Sequence, residues 1–489
     1  MSEHVSKYIQ EVAIPMREIF KDMAKYTPSK VFGLLGNTVL VPVYTNLLSK
    51  EEYGIYVVSV AVLSFLCILF SDWVGLSGLR FFREHQLQDK ISKYLSILVM
   101  LLTTNIVLLF LVAFIFRNNF YEFFKIEPSL FMGIVFLTIP VAIRALLFQI
   151  LRAQIKPSAF TISTIINQIM TICISVLIIK YLHLGGVSIL WGMAISISLI
   201  DLLLIYQSNI LKYFKLEPVS LPTLLSIIKY GVPIAIASIS MWIITKSNTL
   251  ILQHLKGSEE AGIVGVGYSL TFPILMTLFS ILTVASFPRI INLYENKKDV
   301  RPIISKMTGY YLLVSLPLVV LSIIYAKDIT MLANAKFQEA YVLIPYLSVA
   351  CFFLALAEYT TMQYLLCKKT YINTIIKVIS GIIGVGLNYL FIVKMGVIGA
   401  GIATMLTNLL YFLLSVIVVM PGLNWQIPYT RILQIIISLI PMGAFCYFFK
   451  YSTSIHPWGQ MALLLIIYCT TFLFIKSLID ESHGMDRRH

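Results

Sequence analysis

The stretch SKEEYGIYVVSVAVLSF, residues 49–65, returns as GSEEAGIVGVGYSLTF at residues 257–272. Glu51, Glu52 and Gly54 of the first copy match Glu259, Glu260 and Gly262 of the second at an offset of 208 residues. Later, HLGGVSILWGMAIS (183–196) is echoed by KMGVIGAGIATMLT (394–407), which places Gly186 on Gly396 at an offset of 210. KYTPSK (25–30) and KYGVPI (229–234) open the two halves. Echoes in one order at nearly one offset describe a duplicated unit.

The unit is built for lipid. The chain has 489 residues, 58% of them hydrophobic and 12% charged, with a mean hydropathy of +0.88. A soluble domain averages about 45–50% apolar and about 25% charged residues. Apolar runs recur from Val31 to Ile475, so the expected fold is an all-α polytopic membrane protein. Segments of membrane-crossing length fall near 29–48, 54–77, 94–116, 130–150, 160–181, 186–206 and 226–248. Seven more fall near 262–285, 305–325, 341–364, 371–393, 397–420, 431–449 and 459–478, giving about 14 transmembrane helices. An even number of crossings per copy makes the repeats parallel, related by an axis along the membrane normal. The expected organisation is two pseudo-symmetric six-helix lobes, 28–206 and 226–420, joined by a cytoplasmic linker at 207–225. Residues 421–489 add two extra helices and a cytoplasmic tail. Residues 1–27 lack the apolar core of a signal peptide and space their apolar side chains helically between Lys and Arg, as a cytoplasmic interfacial segment does.

The formal net charge is +14. Its cations are spread over many short loops with no compact basic face, which argues against nucleic acid as a partner. They crowd instead into alternate loops, including RFFREHQLQDKISK (80–93) and ENKKDVRPIISK (295–306). By the positive-inside bias these loops and both termini are cytoplasmic. The six cysteines lie in or beside apolar segments, without a CxxC pair or a neighbouring His, and read as packing residues.

PSKVFGLLGNTVLVPVYTNLLSKEEYGIY (28–56), DWVGLSGLRFFRE (72–84) and NYLFIVKMGVIGAGIAT (388–404) resemble the polysaccharide (O-antigen or capsule type) flippases. These belong to the multidrug/oligosaccharidyl-lipid/polysaccharide exporter superfamily, with the lipid II flippases and the multidrug and toxin exporters. The resemblance covers roughly residues 25–420. It implies two bundles around a cavity that opens alternately to each side of a bacterial inner membrane. It implies a cargo of undecaprenyl-pyrophosphate-linked oligosaccharide, moved from the cytoplasmic to the periplasmic leaflet among membrane lipids. A polysaccharide polymerase and its chain-length machinery are the protein partners it points to. GYSLTFPI (267–274) lacks the Arg that lipid II flippases typically carry before the proline, which argues against lipid II.

Such a cargo needs fixed cations for its phosphates near the side of loading. Lys30, Arg80, Arg83 and Arg144 meet that requirement. Lys30 shares a serine–basic–glycine context with lipid II flippases, and Arg80 and Arg83 lie in GLRFFRE, which also resembles a basic stretch of that group; positive-inside anchoring is the alternative for all three, and the stronger one for Arg80 and Arg83. Arg144 is different. If its helix ends near Arg152, it lies about 12 Å inside, where a cation needs an interior face, water or a partner. The acids expected well inside spans are Asp201 and Glu358, at a similar depth. Aligning AIRALLFQIL (142–151) with LAEYTTMQYL (356–365) at an offset of 214 places Arg144 on Glu358. The preferred reading is a phosphate-facing cation in one lobe and an ion-coupling carboxylate in the other; the alternative is structural ion pairing of Arg144 with Asp201 or Glu358.

The resemblance implies no cofactor beyond a Na⁺ or H⁺ coupling ion. Lipid II flippases hold a cation in their second lobe, and the nearest matches here are Asn388 and Thr404, oxygen donors that hard cations accept. Pro42, Pro140, Pro233, Pro273, Pro317, Pro345 and Pro441 are expected to interrupt helices and provide bends. A multidrug exporter is the main alternative function, but its cationic drugs call for cavity carboxylates, and cations outnumber acids here. A membrane glycosyltransferase or polymerase is the enzyme alternative. Its best support is the Glu51–Glu52 pair, which the repeat at Glu259–Glu260 explains better, and no nucleophile, metal or phosphate-loop motif accompanies it.

Overall fold

The computed structural model describes residues 16–485 apart from 89, 155, 214, 216, 424, 453 and 454. Among them every regular element is helical. The main helices are α1 Met16–Leu47, α2 Lys50–Leu87, α3 Ile91–Ile115, α4 Arg117–Phe124 and α5 Pro128–Ala153. They continue as α6 Pro157–Leu182, α7 Val187–Ser208, α8 Leu221–Lys256, α9 Ser258–Glu295 and α10 Arg301–Ile324. The last four are α11 Ile344–Thr360, α12 Thr370–Ile417, α13 Tyr429–Ser452 and α14 Pro457–Met485.

Twelve helices are long and apolar enough to cross a membrane. One of them counts twice. Helix α12 has 48 residues, about 72 Å of helix against a hydrocarbon core of about 30 Å. It breaks at Gly396, whose φ of 57° and ψ of −130° only glycine adopts readily. Fourteen were expected; among the described residues α1 is not one of the twelve. The interfacial segment expected at 1–27 lies outside the described residues up to 15, and from 16 it runs unbroken into α1.

The repeated motif explains how the halves meet. Ser49 caps α2: its hydroxyl accepts from the Glu52 amide at 3.1 Å, and its own amide donates to Glu52 Oε2 at 2.7 Å. A Cβ placed on Gly54 would stand 1.8 Å from the Ser258 carbonyl oxygen and 3.1 Å from the Gly262 amide nitrogen. One placed on Gly262 would stand 2.5 Å from the Lys50 carbonyl oxygen. The matched glycines therefore face each other, backbone against backbone. The second echo has a matching role within each half. A Cβ on Gly186 would fall 1.9 Å from the Glu52 carbonyl oxygen, and one on Gly396 would fall 3.3 Å from Glu260 Oε2. Each glutamate of the first echo thus seats on the glycine of the second.

Packing inverts the soluble pattern. Ser59, Ser196, Thr407 and Asn408 are fully buried between helices, whereas Leu202, Ile382 and Ile440 are exposed on the outside, where lipid would be. Pro140, Pro233, Pro317 and Pro441 sit inside helices that continue through them. Pro345, expected to interrupt a helix, opens α11 in its first turn, where its missing amide costs nothing.

The glycine contact yields a direct test. Gly54→Val should destabilise the fold by about 1–3 kcal/mol, because backbone on the far side cannot retreat as a flexible side chain would. Gly133→Ala, with nothing within 4 Å of its added carbon, should leave thermal unfolding unchanged when followed by tryptophan fluorescence in detergent.

Candidate functional site

A chain of three adjoining chambers, of about 500, 370 and 250 Å³, runs between the halves. Gly33, Thr164 and Gln168 are shared by the first two, and Leu40, Tyr44 and Tyr56 by the second and third. Helices α1, α2, α5, α6 and α7 form one wall, and α8 and α9 form the other.

Each chamber holds one cation. Lys30 lines the largest, Arg144 the second and Lys246 the third. No Asp or Glu stands among the described lining residues of any of them. The three also differ in depth. Lys30 lies at the end of the molecule that also carries the C-terminus of α5. Arg144 is nine residues back from that terminus, about 13 Å along the helix, and Lys246 is ten residues from the opposite end of α8, about 15 Å. Lys246 Nζ rests 5.6 Å from the centre of the Tyr268 ring, a cation–π contact that compensates part of its lost hydration.

Lys246 was not among the expected site residues. A membrane-length window ended its span at 248 and left it looking like a loop-edge cation. The helix continues to Lys256, which moves it well inside. Asp72 is a further acid inside a span, beside the expected Asp201 and Glu358: it lies five residues from the end of the expected span 54–77, and α2 continues fifteen residues past it to Leu87. Asp72 closes a π-helical turn, Ile68–Asp72, a local widening often kept at functional positions.

The other expected residues separate. Arg80 lines a different and larger cavity with residues of the second half. Arg83 turns back on its own helix and donates to Gln86 Oε1 at 2.7 Å. Asp201 is only 6% exposed and its Oδ1 has no hydrogen-bond partner. It lies within electrostatic reach of Arg144, but no ion pair or hydrogen bond joins the two among the described residues. Glu358 has partners of its own: Lys377 Nζ at 3.2 Å and the Tyr411 hydroxyl at 3.0 Å. Arg144 therefore enters its chamber without a bonded carboxylate.

Asn388 and Thr404 are both buried on the two arms of α12. Asn388 donates to the Gly384 carbonyl at 2.9 Å and leaves a buried Oδ1 without a partner. Thr404 donates to the Ala400 carbonyl at 2.7 Å and accepts from Asn248 Nδ2 at 2.9 Å, within a knot that includes the Tyr268 hydroxyl. Among the described residues no three of His, Cys, Asp and Glu converge as a metal site would require.

The end opposite Lys30 is sealed. Lys50 Nζ meets Glu339 Oε1 at 3.1 Å, Asn334 Nδ2 donates to Asn46 Oδ1 at 2.8 Å, and the Asn334 amide donates to Thr45 Oγ1 at 3.1 Å. Tyr53 and Phe337 close the seal edge to face, with ring centres 5.4 Å apart. The segment 326–342 of the second half thus lies across the ends of α1 and α2. Glu339 is exposed and Lys50 only partly so, and the pair itself is worth about 0–1 kcal/mol; the buried Tyr53 and Phe337 rings carry the apolar part of the closure.

A family model described as "Polysaccharide biosynthesis protein" matches residues 19–294. Among solved structures, the lipid II flippase MurJ in an inward closed conformation aligns over 93% of this chain and 97% of its own, with a TM-score of 0.70 at 13% identity. An inward-facing multidrug resistance transporter of the MATE family, in the MOP superfamily, covers 79% of this chain and 93% of its own, with a TM-score of 0.64 at 13% identity. A MOP superfamily transporter from Pyrococcus furiosus, described as having a binding pocket of reverse polarity, covers 81% and 94% with a TM-score of 0.54 at 13% identity. These likenesses establish the fold. No curated protein matches the chain in sequence.

The two acid–base arrangements differ in a measurable way. In a double-mutant cycle read by thermal unfolding, Glu358→Gln and Lys377→Gln should be non-additive by about 0.5–3 kcal/mol, as contacting partners are. Arg144→Gln and Asp201→Asn should couple less strongly, since no bond joins them.

Proposed function

The chain belongs to the polysaccharide biosynthesis protein family, and on that premise we propose that it is a flippase for lipid-linked oligosaccharide. One observation carries the reading: three successive chambers each present a cation and no carboxylate. A pyrophosphate bearing a saccharide is the cargo such a path suits. The Arg144 guanidinium can grip a phosphate through two parallel N–H donors, while Lys30 and Lys246 offer compact point charges above and below it. Three cations at three depths let the anion exchange one counter-charge for the next, so it is never left in the low-dielectric interior uncompensated. Asn167 and Gln168, with Tyr44 and Tyr56, add hydrogen-bonding groups for hydroxyls. A cavity for cationic drugs would need the opposite sign.

In this reading the Lys30 end faces the cytoplasm of a bacterial inner membrane, and both termini lie there. Lobes 28–206 and 226–420 rock about the Gly54–Gly262 contact, and 421–489 is an appendage. The undecaprenyl-pyrophosphate repeat unit of an O-antigen or similar surface polysaccharide enters at Lys30 and leaves where the Lys50–Glu339 seal parts, for delivery to a polymerase. A Na⁺ or H⁺ gradient drives the cycle, with Asp201, Glu358, Asn388 and Thr404 as the coupling residues.

Deleting the gene should abolish a surface polysaccharide and leave its lipid-linked repeat units on the cytoplasmic leaflet, with peptidoglycan synthesis intact. Arg144→Gln and Lys246→Gln should each lower polysaccharide export at least tenfold while the protein accumulates normally in the membrane. Arg144→Lys should recover only part, since it lacks the fork. Export unaffected by either neutral variant, or restored fully by adding Asp201→Asn to Arg144→Gln, would contradict the proposal.

A further inference from the structure

The cavity that takes Arg80 has a volume of about 1000 Å³, against about 500 Å³ for the first chamber, and shares no lining residue with the three chambers. Its cations are Arg80, Lys297, Lys298, Arg301 and Lys368, against Glu295 and Asp299. Two of these charges cancel locally. Arg301 binds Asp299 through Nε at 2.9 Å and through a terminal nitrogen at 2.7 Å, and its amide donates to the same carboxylate at 3.0 Å. Arg80, Lys297, Lys298 and Lys368 then face one carboxylate, Glu295, and none of the four has an ion-pair partner among the described residues.

The backbone brings these lysines together by a repeated device. Lys297 follows the end of α9 with φ of 56°, and Lys368 precedes α12 with φ of 57°. Both take the left-handed conformation that commonly ends a helix: the amides after them, of Lys298 and Lys369, donate back to the Leu293 and Tyr364 carbonyls at 2.9 and 2.8 Å. Gly422, with φ of 75°, makes a third reversal against the same space. The amino end of the 24-residue helix α10 opens here too and adds its positive dipole end. Phe287, Ile291 and Leu366 supply an apolar side to a basic chamber.

The membership crosses the molecule. Arg80 belongs to α2 in the first half, and the lysines belong to the second half. Like charges of the two halves therefore confront one another across a space large enough for a headgroup. They repel when it is empty and are bridged when an anion fills it.

We propose that this chamber is a second anion site, which takes a phosphate-bearing headgroup between Arg80 and Lys297, Lys298 and Lys368. Its occupant ties the two halves together at the Lys30 end, so filling it favours closure there. The proposal depends on the flippase reading only for which phosphate is carried; binding itself is independent of transport. Two sources share the chemistry, the diphosphate of a cargo and the phosphate of an anionic bilayer lipid.

The test uses full-length protein carrying Arg144→Gln and Lys246→Gln, which removes the cations of the inner chambers, in nanodiscs of phosphatidylcholine. Radiolabelled inorganic pyrophosphate is the probe. Binding should persist in this background and weaken about tenfold with Lys297→Gln/Lys298→Gln, and similarly with Arg80→Gln. It should survive Lys297→Arg/Lys298→Arg, which keeps the charge at exposed positions. Repeating the titration in nanodiscs containing phosphatidylglycerol separates the sources: competition assigns the site to a bilayer lipid, and unchanged affinity assigns it to a diphosphate. No binding in the background, or binding indifferent to Arg80 and the lysines, would overturn the proposal. Loss of transport in Arg144→Gln is read in a different assay, so the two ideas fail separately.

Discussion

The backbone contact between Gly54 and Gly262 is the constraint on which the rest of the architecture depends. Each copy of the motif starts a long helix with two glutamates and then removes a side chain, so the two helices approach until main chain meets main chain. No hydrophobic force drives helices together inside lipid, and close van der Waals packing of small residues must do it instead. Because Glu52 and Glu260 also seat on Gly186 and Gly396, one four-residue motif fixes both the contact between the halves and the path of the chain within each half. The chambers lie between the same helices, lined on one side by α1, α2, α5, α6 and α7 and on the other by α8 and α9.

Fold and repeat were legible because they rest on signals that lipid amplifies. Twenty apolar residues in a row have few soluble explanations, and a duplicated glycine pattern persists where packing admits no side chain. The site was only half legible. Lys30 and Arg144 were found because they stand in conspicuous places, at the opening of the first span and in the middle of another. Lys246 was missed for a physical reason: helix α8, with 36 residues, runs well beyond one bilayer crossing, so a residue two positions from a hydropathy boundary can lie deep inside a helix. Asp72 was legible, since the expected span 54–77 contains it as far from its end as 186–206 contains Asp201. The pairing of Glu358 with Lys377 was invisible because the partners lie 19 residues apart on different helices, and a repeat alignment compares positions rather than neighbours.

The distribution of partners also sorts the charges by purpose. Glu358 and Lys377 satisfy each other beside a tyrosine hydroxyl, and removing either leaves a charge stranded. Lys30, Arg144 and Lys246 are placed with no such carboxylate, which makes them costly for the protein to bury; in the proposed function an anionic guest offsets that cost. At the sealed end the paired charges lie at the surface, Lys50 with Glu339, beside the Asn46–Asn334 hydrogen bond.

The central claim is that the three chambers form the path of a pyrophosphate. It is tested most directly by a cryo-EM map of the protein in nanodiscs with an undecaprenyl-pyrophosphate saccharide. The account predicts diphosphate density within hydrogen-bonding distance of the Arg144 guanidinium, with saccharide extending along Tyr44 and Gln168. Diphosphate density only outside the chambers, with Arg144 bonded instead to Asp201, would contradict it.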